Sequence, residues 1–422
     1  MRVEAWLPRA ARAHPDRPAV GGLTYAQLLA GARAGAAALA REDVHAGDRV
    51  GIALPPGEAF AVALHATLLR GAVAVPIDPR LAAAERARRT AGVRALVDRP
   101  LEGGGDAAPG GGETHELDAA AVVVHTSGTA GDPKPVALTY GNWLWSALGS
   151  ATALGLDPRE RWLCCLPLSH VGGLSILLRS AIYATSAIVH ERFDTERVLA
   201  ELRDPQGPTL VSLVPTTLRR LLDAGLREPP SLRWVLLGGA AIDGDLLARA
   251  AQAGVPVAPT YGMTEACSQV ATLGHPLFCT RVDIAPDGEV LVSGPTVAPG
   301  SGPVLRTGDV GELDPVGGLR ITGRRADTII TGGENVAPQE VEAVLLAHPA
   351  VADVGVHGRP DEEWGEAVVA TVVLRPGEDL SAEDLRAWCA ERLAMFKVPK
   401  QVAFANALPR TASGKLLRRE LR

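Results

Sequence analysis

Along the first 260 positions apolar residues come in short runs, separated by Ala-rich stretches of helical length. Residues 50–54 (VGIAL) and 74–77 (AVPI) predict short buried strands, and residues 58–69 between them predict a helix. Further strands are predicted at 121–124, 187–190, 209–213, 234–237 and 255–258. Strand–helix alternation of this kind implies a largely parallel α/β architecture. After about residue 277 the pattern changes to short strands punctuated by Gly and Asp, GEVLVSGP and then GELDPVGGLRITG. Gly317-Gly318 between Glu312 and Ile321 is a hairpin signal, and the stretch reads as a small β subdomain. A third pattern begins at Arg325. Pro338 suits the first turn of a helix whose Val341, Val344, Leu345 and His348 share one face. Strands at 352–356 and 367–374 follow, then a helix at 381–393 opened by Ser-Ala-Glu-Asp. The expected organisation is a large α/β domain, 1–324, and a small α+β domain, 325–422.

Composition narrows the functional classes. A net charge of −6 argues against a polyanion-binding surface, so nucleic acid is not an expected partner. No apolar run is long enough for a membrane span, and no insertion in a membrane is expected. The five cysteines include the adjacent Cys164 and Cys165, and none has zinc-ligand spacing. A cytoplasmic location is expected, and self-association into a homo-oligomer stays open. Residues 102–113 (EGGGDAAPGGGE) read as a flexible surface loop. Of the 42 basic residues only Lys134, Lys397, Lys400 and Lys415 are lysine, so a compact point charge stands out where it occurs.

One lysine lies in residues 125–136, HTSGTAGDPKPV, directly after a predicted strand. Small residues let backbone N–H groups approach phosphate oxygens, hydroxyls add donors, and Lys134 adds charge. The spacing is not that of a Walker A loop, because Gly131 is followed by Asp132. On residue types alone, a polar surface turn is an equal reading.

The segment resembles the phosphate-gripping loop of the adenylate-forming superfamily, which includes acyl-CoA synthetases, peptide-synthetase adenylation domains and luciferase. Four more segments match in order: YGMTE at 261–265, LRTGD at 305–309, GRRAD at 323–327 with GGEN at 332–335, and PRTASGK at 409–415. The resemblance implies a two-step ligase. An acid and ATP give an acyl-adenylate and pyrophosphate, and a thiol, here CoA, then displaces AMP. It also implies that the C-terminal domain moves between the two steps. Lys415 would bridge the carboxylate and α-phosphate. Thr126, Ser127, Gly128, Thr129 and Lys134 would hold the β,γ-phosphates. Tyr261 and Gly262 would lie against adenine, with Gly239 and Ala240 opposite. Thr264 would touch phosphate, and Glu265 would hold Mg²⁺ through hard oxygen ligation. Asp309 would accept the ribose hydroxyls, supported by Arg324. Gly332 and Gly333 belong to the hinge-side motif. Lys397 and Lys400 would either approach CoA phosphates or stay solvated.

The chain departs from the family pattern at His125, Ala130, Pro135 and the hinge residue Ala326. The acid pocket is read from 166–184, LPLSHVGGLSILLRSAIYA. His170 would line the acyl tunnel by resemblance; a core histidine is the other reading. Arg179 stands alone among apolar residues, either returning its charge to solvent or meeting a second substrate carboxylate in a bidentate contact. This segment, with HERFD at 190–194, most resembles the o-succinylbenzoate–CoA ligase branch. The alternatives are another aryl- or acyl-CoA synthetase, an adenylating enzyme that loads a carrier protein, and a non-catalytic nucleotide-binding relative.

Overall fold

Val and Ala dominate the apolar runs, and β-branched or small side chains suit strands covered on both faces. The computed structural model describes residues 1–101, 114–127, 133–332, 334–411, 414 and 416–421. The Gly-rich segment 102–113 lies outside the described residues. The chain divides into two compact units, one of Met1–Gly239, Arg249–Arg281 and Val292–Leu305, the other of Ala240–Ala248, Val282–Leu291 and Arg306–Arg422.

Besides the antiparallel pair of Arg2–Glu4 and Thr114–Glu116, the described residues of the first unit form two larger sheets. In the smaller, strand Val73–Pro76 is buried throughout and pairs in parallel with Arg49–Ile52 and Ala120–Ser127. Ala95–Val97 lies outside Arg49–Ile52, and Pro133–Thr139 closes the other edge antiparallel to Ala120–Ser127. Pro133 and Pro135 are tolerated because an edge strand leaves one side of its backbone unpaired. The larger sheet carries the parallel strands Ser186–Val189, Arg161–Cys164, Leu210–Leu213, Trp234–Leu237 and Val257–Met263, in that spatial order. Ser268–Thr272 extends it antiparallel. The strand expected at 255–258 thus begins two residues later and runs on to Met263, through the YGM of the second motif.

Helix Glu58–Leu69 matches its expected span and is apolar nearly all round, as its burial requires. Helix Tyr25–Arg41 starts at a reciprocal cap between Thr24 and Gln27. A side chain at Gly35 would come within 2.9 Å of both Ala66 Cβ and Leu101 Cδ1, so this glycine permits a close helix approach.

The second unit holds the four-stranded sheet Arg281–Ile284, Glu289–Ser293, Leu305–Leu313 and Leu319–Arg324, continuing into five strands with two helices. The Gly317-Gly318 turn joins the last two antiparallel strands, with Asp314 accepting from Val316 and Gly318 N–H. Helix Pro338–Leu346 starts at the expected proline but ends before His348, whose ring turns edge-on to Trp388 at 4.8 Å. The helix expected over 381–393 is Ala382–Ala390, capped by Ser381. Strand Gln401–Phe404, which had no sequence signal, pairs in parallel with Gly365–Leu374.

Two buried histidines make the first unit sensitive to acid. His115 stacks on Tyr140 at 4.1 Å, with Trp6 edge-on at 5.0 Å; His65 is buried too, and its Nε2 has no hydrogen-bond partner among the described residues. Burial lowers both pKa values from 6.5 to about 4, and for His115 the neighbouring His65 adds to the effect. The folded state resists protonation that the unfolded chain accepts. The stability is therefore fully present above pH 6.5 and is lost as pH falls toward 4. By pH 5 each histidine should have cost about 2 kcal/mol. Urea unfolding at pH 7.5 and 5 should show a smaller loss of midpoint in His65→Leu than in the natural chain. Equal losses would mean that His65 is not a source of the acid sensitivity.

Candidate functional site

Parallel neighbours end at a common edge, so the turns after those strands converge. In the larger sheet this edge carries the 238–240 turn and the Tyr261–Glu265 segment. A side chain at Gly238 would lie 2.7 Å from Thr260 Cγ2 and 2.8 Å from its carbonyl oxygen, so the glycine lets this turn press on the neighbouring strand. Gly239 follows with φ +81°, and it and Ala240 are exposed. Tyr261 is half-buried at the end of the parallel run. Gly262 sits at a bulge in the pairing with Ser268–Thr272, where a Cβ would be 1.7 Å from Ser268 carbonyl oxygen. Thr264–Ala266 then forms a single 3₁₀ turn, tied by Ala298 N–H donating to Glu265 carbonyl oxygen at 2.8 Å. Thr264 and Glu265 are both half-buried. Glu265 thus offers a hard carboxylate donor of the kind Mg²⁺ takes.

The described ends of the phosphate-loop segment pair antiparallel. Thr126 pairs with Lys134 and Ser127 with Pro133, and Thr126 Oγ1 donates to Lys134 carbonyl oxygen at 3.4 Å. Lys134 is exposed, and its strand packs beside the Thr264–Ala266 turn, so the first and second motifs adjoin. Gly128, Thr129 and Ala130 lie outside the described residues.

His170 caps helix Val171–Tyr183 through extended backbone, and its ring makes no capping bond. Gly173 is required there, since a Cβ would meet Pro167 carbonyl oxygen at 2.5 Å. Burial first, and then Arg89, lower the His170 pKa; burial and Arg89 do the same for His125 at the start of the phosphate-loop segment. His170 therefore lies within electrostatic reach of Arg89. Asp78 faces it too, buried and holding Arg80 at 2.9 and 2.6 Å. Asp78, Arg80 and Arg89 had drawn no attention in the sequence.

Arg179 does not return to solvent. It is 1% exposed, with its guanidinium carbon 5.6 Å from the Trp162 ring centre. Its Nη2 donates to Ser146 Oγ at 3.0 Å, and Ser146 donates onward to Cys267 carbonyl oxygen at 2.6 Å. Nε and Nη1 have no hydrogen-bond partner among the described residues. It lies nine residues along the helix from His170, roughly 13 Å deeper at 1.5 Å per residue.

In the second unit Asp309 and Arg324 face each other across the antiparallel pair, and Arg324 Nε donates to the buried Asp309 carboxylate at 2.7 Å. Beyond them, Ala326 is exposed between two anchored neighbours. Arg325 pairs with Asp287 at 2.7 Å, and Asp327 accepts from Arg418 at 2.9 Å. Arg418 also forks onto Glu342 at 2.8 and 2.6 Å. Gly332 has φ +58°, with Trp364 against it. Gly333 and Lys415 lie outside the described residues. Arg410 donates to Gly414 carbonyl oxygen at 2.8 Å, forks onto Asp353, and pairs with Leu416 in an isolated antiparallel bridge. Lys397 pairs with Glu340 at 2.6 Å, and Lys400 lies 4.3 Å from the Trp364 ring centre. Among the described residues no group of three or more His, Cys, Asp or Glu could hold a resident metal.

Residues 7–301 match the family described as AMP-binding enzyme, and residues 340–415 match the AMP-binding enzyme C-terminal domain. A 2-succinylbenzoate–CoA ligase of Bacillus licheniformis is 38% identical, over 99% of this chain and 98% of its own. The o-succinylbenzoate CoA synthetase of Bacillus subtilis, solved with its acyl-adenylate intermediate, superposes with a TM-score of 0.91 at 36% identity. That match covers 100% of this chain and 98% of the other. A second structure of the same enzyme, with ATP and a magnesium ion, gives a TM-score of 0.90 at 35% identity, covering 100% of both chains.

Proposed function

The chain belongs to the AMP-binding enzyme family, and from that membership we infer that it is a 2-succinylbenzoate–CoA ligase of menaquinone biosynthesis. The observation that carries this reading is the full-length similarity, 36% identity with a TM-score of 0.91, to an enzyme held with the acyl-adenylate of that acid. The reaction takes the acid, ATP and CoA. In the first step a carboxylate oxygen attacks the α-phosphorus and pyrophosphate leaves. In the second the CoA thiol attacks the acyl carbon and AMP leaves.

The main obstacle to the first step is repulsion between anions, so the residues' work is positioning and charge stabilisation. Thr126, Ser127, Gly128, Thr129 and Lys134 hold the leaving phosphates. Tyr261 and Gly262 meet the adenine, with Gly239 and Ala240 on its other side, and Thr264 meets phosphate oxygen. Asp309 accepts the ribose hydroxyls while Arg324 fixes its carboxylate. Magnesium, which would be held by Glu265 and the phosphates, supplies positive charge to the triphosphate. Lys415 steadies the incipient acyl-phosphate bond. His170 lines the acid site, and Arg179 offers its two unpartnered N–H edges to the carboxylate that is not activated. Residues 325–422 act as the moving domain, pivoting at Ala326. Lys415 serves the first step, and the Gly332–Asn335 face serves the second.

Two outcomes follow. Lys415→Ala should cripple adenylate formation but leave thioester formation from supplied acyl-adenylate largely intact, because only the first step joins two anions. Equal slowing of both halves would make the lysine structural. In an acid panel read by CoA-thioester mass, 2-succinylbenzoate should be the preferred substrate. Arg179→Leu should lower its kcat/KM by about 30-fold or more, the scale of a buried charge pair losing one partner. A monocarboxylic aromatic acid should lose little. Equal losses for both acids would assign Arg179 to packing alone, and no thioester from 2-succinylbenzoate would overturn the substrate.

A further inference from the structure

Glu289 opens strand Glu289–Ser293, and its side chain is 5% exposed. A carboxylate so placed needs partners for its charge, and three donors converge on it. Oε1 accepts the Gly308 N–H at 2.9 Å. Oε2 accepts from Arg306 Nη2 and, at 3.3 Å, from Arg325 Nη1. Both arginines also reach Asp287, so their charges are shared between two acids.

The Gly308 bond ties Glu289 to the ribose site. Gly308 has φ +72°, a conformation that suits glycine, and it directly precedes Asp309. Its neighbour Thr307 is pinned as well: Oγ1 donates to Val290 carbonyl oxygen at 2.8 Å and accepts Asp309 N–H at 3.1 Å. The turn that carries the Asp309 carboxylate is therefore clamped to strand Glu289–Ser293 at two successive residues, once by a buried charge.

We propose that Glu289 is a positioning residue for nucleotide selection: through the Gly308 N–H it sets the turn that aims Asp309 at the ribose hydroxyls. It touches neither the nucleotide nor the reacting atoms. The proposal rests on the ligase reading above, in which Asp309 meets the ribose. Charge and reach can be separated by substitution. Glu289→Gln keeps an oxygen at full reach for Gly308 but removes the charge. Glu289→Asp keeps the charge but withdraws the carboxylate by one C–C bond, about 1.5 Å, out of bonding distance.

The test is the ratio of affinities for ATP and 2′,3′-dideoxy-ATP, measured calorimetrically with Mg²⁺ on the natural chain and both variants. The KM for the acid is followed alongside. The natural chain should prefer ATP. Glu289→Asp should lower that preference on the order of 10-fold, in line with the steep cost of a misplaced binding group. Its KM for the acid should stay near that of the natural chain, and Glu289→Gln should retain most of the preference. General loosening of the fold would weaken both nucleotides alike and leave the ratio unchanged. An unchanged ratio in Glu289→Asp, with ATP still bound by the natural chain, would overturn this proposal alone. Absence of ATP binding by the natural chain would overturn the ligase reading and this proposal with it.

Discussion

A carboxylate and a triphosphate repel each other, and a site that joins them must hold both anions still at close range. Flexible cations in water would be screened and poorly aimed, so the holding groups have to sit on turns with little freedom. Parallel strands supply such turns. In the first unit the ends of Trp234–Leu237 and Val257–Met263 bring Gly239, Tyr261 and Glu265 to one edge, and the Pro133–Thr139 strand packs beside the Thr264–Ala266 turn. The glycines and tight turns are consequences of that crowding. Gly238 and Gly262 occupy places where a side chain would collide with the neighbouring backbone.

The second unit meets the same demand with charge pairs. Asp309 is fixed by Arg324, its turn by Glu289, Arg410 by Asp353, and Asp327 by Arg418 on Glu342. Each pair joins a motif residue, or its immediate neighbour, to a strand or helix distant in sequence. Ala326 is the exception. Its side chain has nothing to pair, while both its neighbours are anchored, a pattern that suits a pivot absorbing backbone rotation.

Much of this was legible before the structure. Apolar run lengths locate the parallel strands, Pro338 and Ser381 locate two helix starts, and Gly317-Gly318 locates the hairpin, because each signal is local. The five motifs were legible by resemblance. What escaped was everything set by long-range partners. Gln401–Phe404 is a strand because Gly365–Leu374 offers it an edge, not because its residues demand it. His348 has the right spacing for its helix, yet the chain has already turned toward Trp388. Glu289, Asp78 and Asp353 look like ordinary acidic positions in the sequence. Only the fold shows Glu289 and Asp353 opposite arginines of two motif segments, and Asp78 buried against Arg80.

The central claim is that an acyl-adenylate forms before any thiol takes part. Isotope exchange between pyrophosphate and ATP measures that step alone. With Mg²⁺, ATP and 2-succinylbenzoate, and no CoA, labelled pyrophosphate should pass into ATP at a rate that saturates with the acid and vanishes without it. Exchange that required CoA, or that proceeded equally without the acid, would contradict the account.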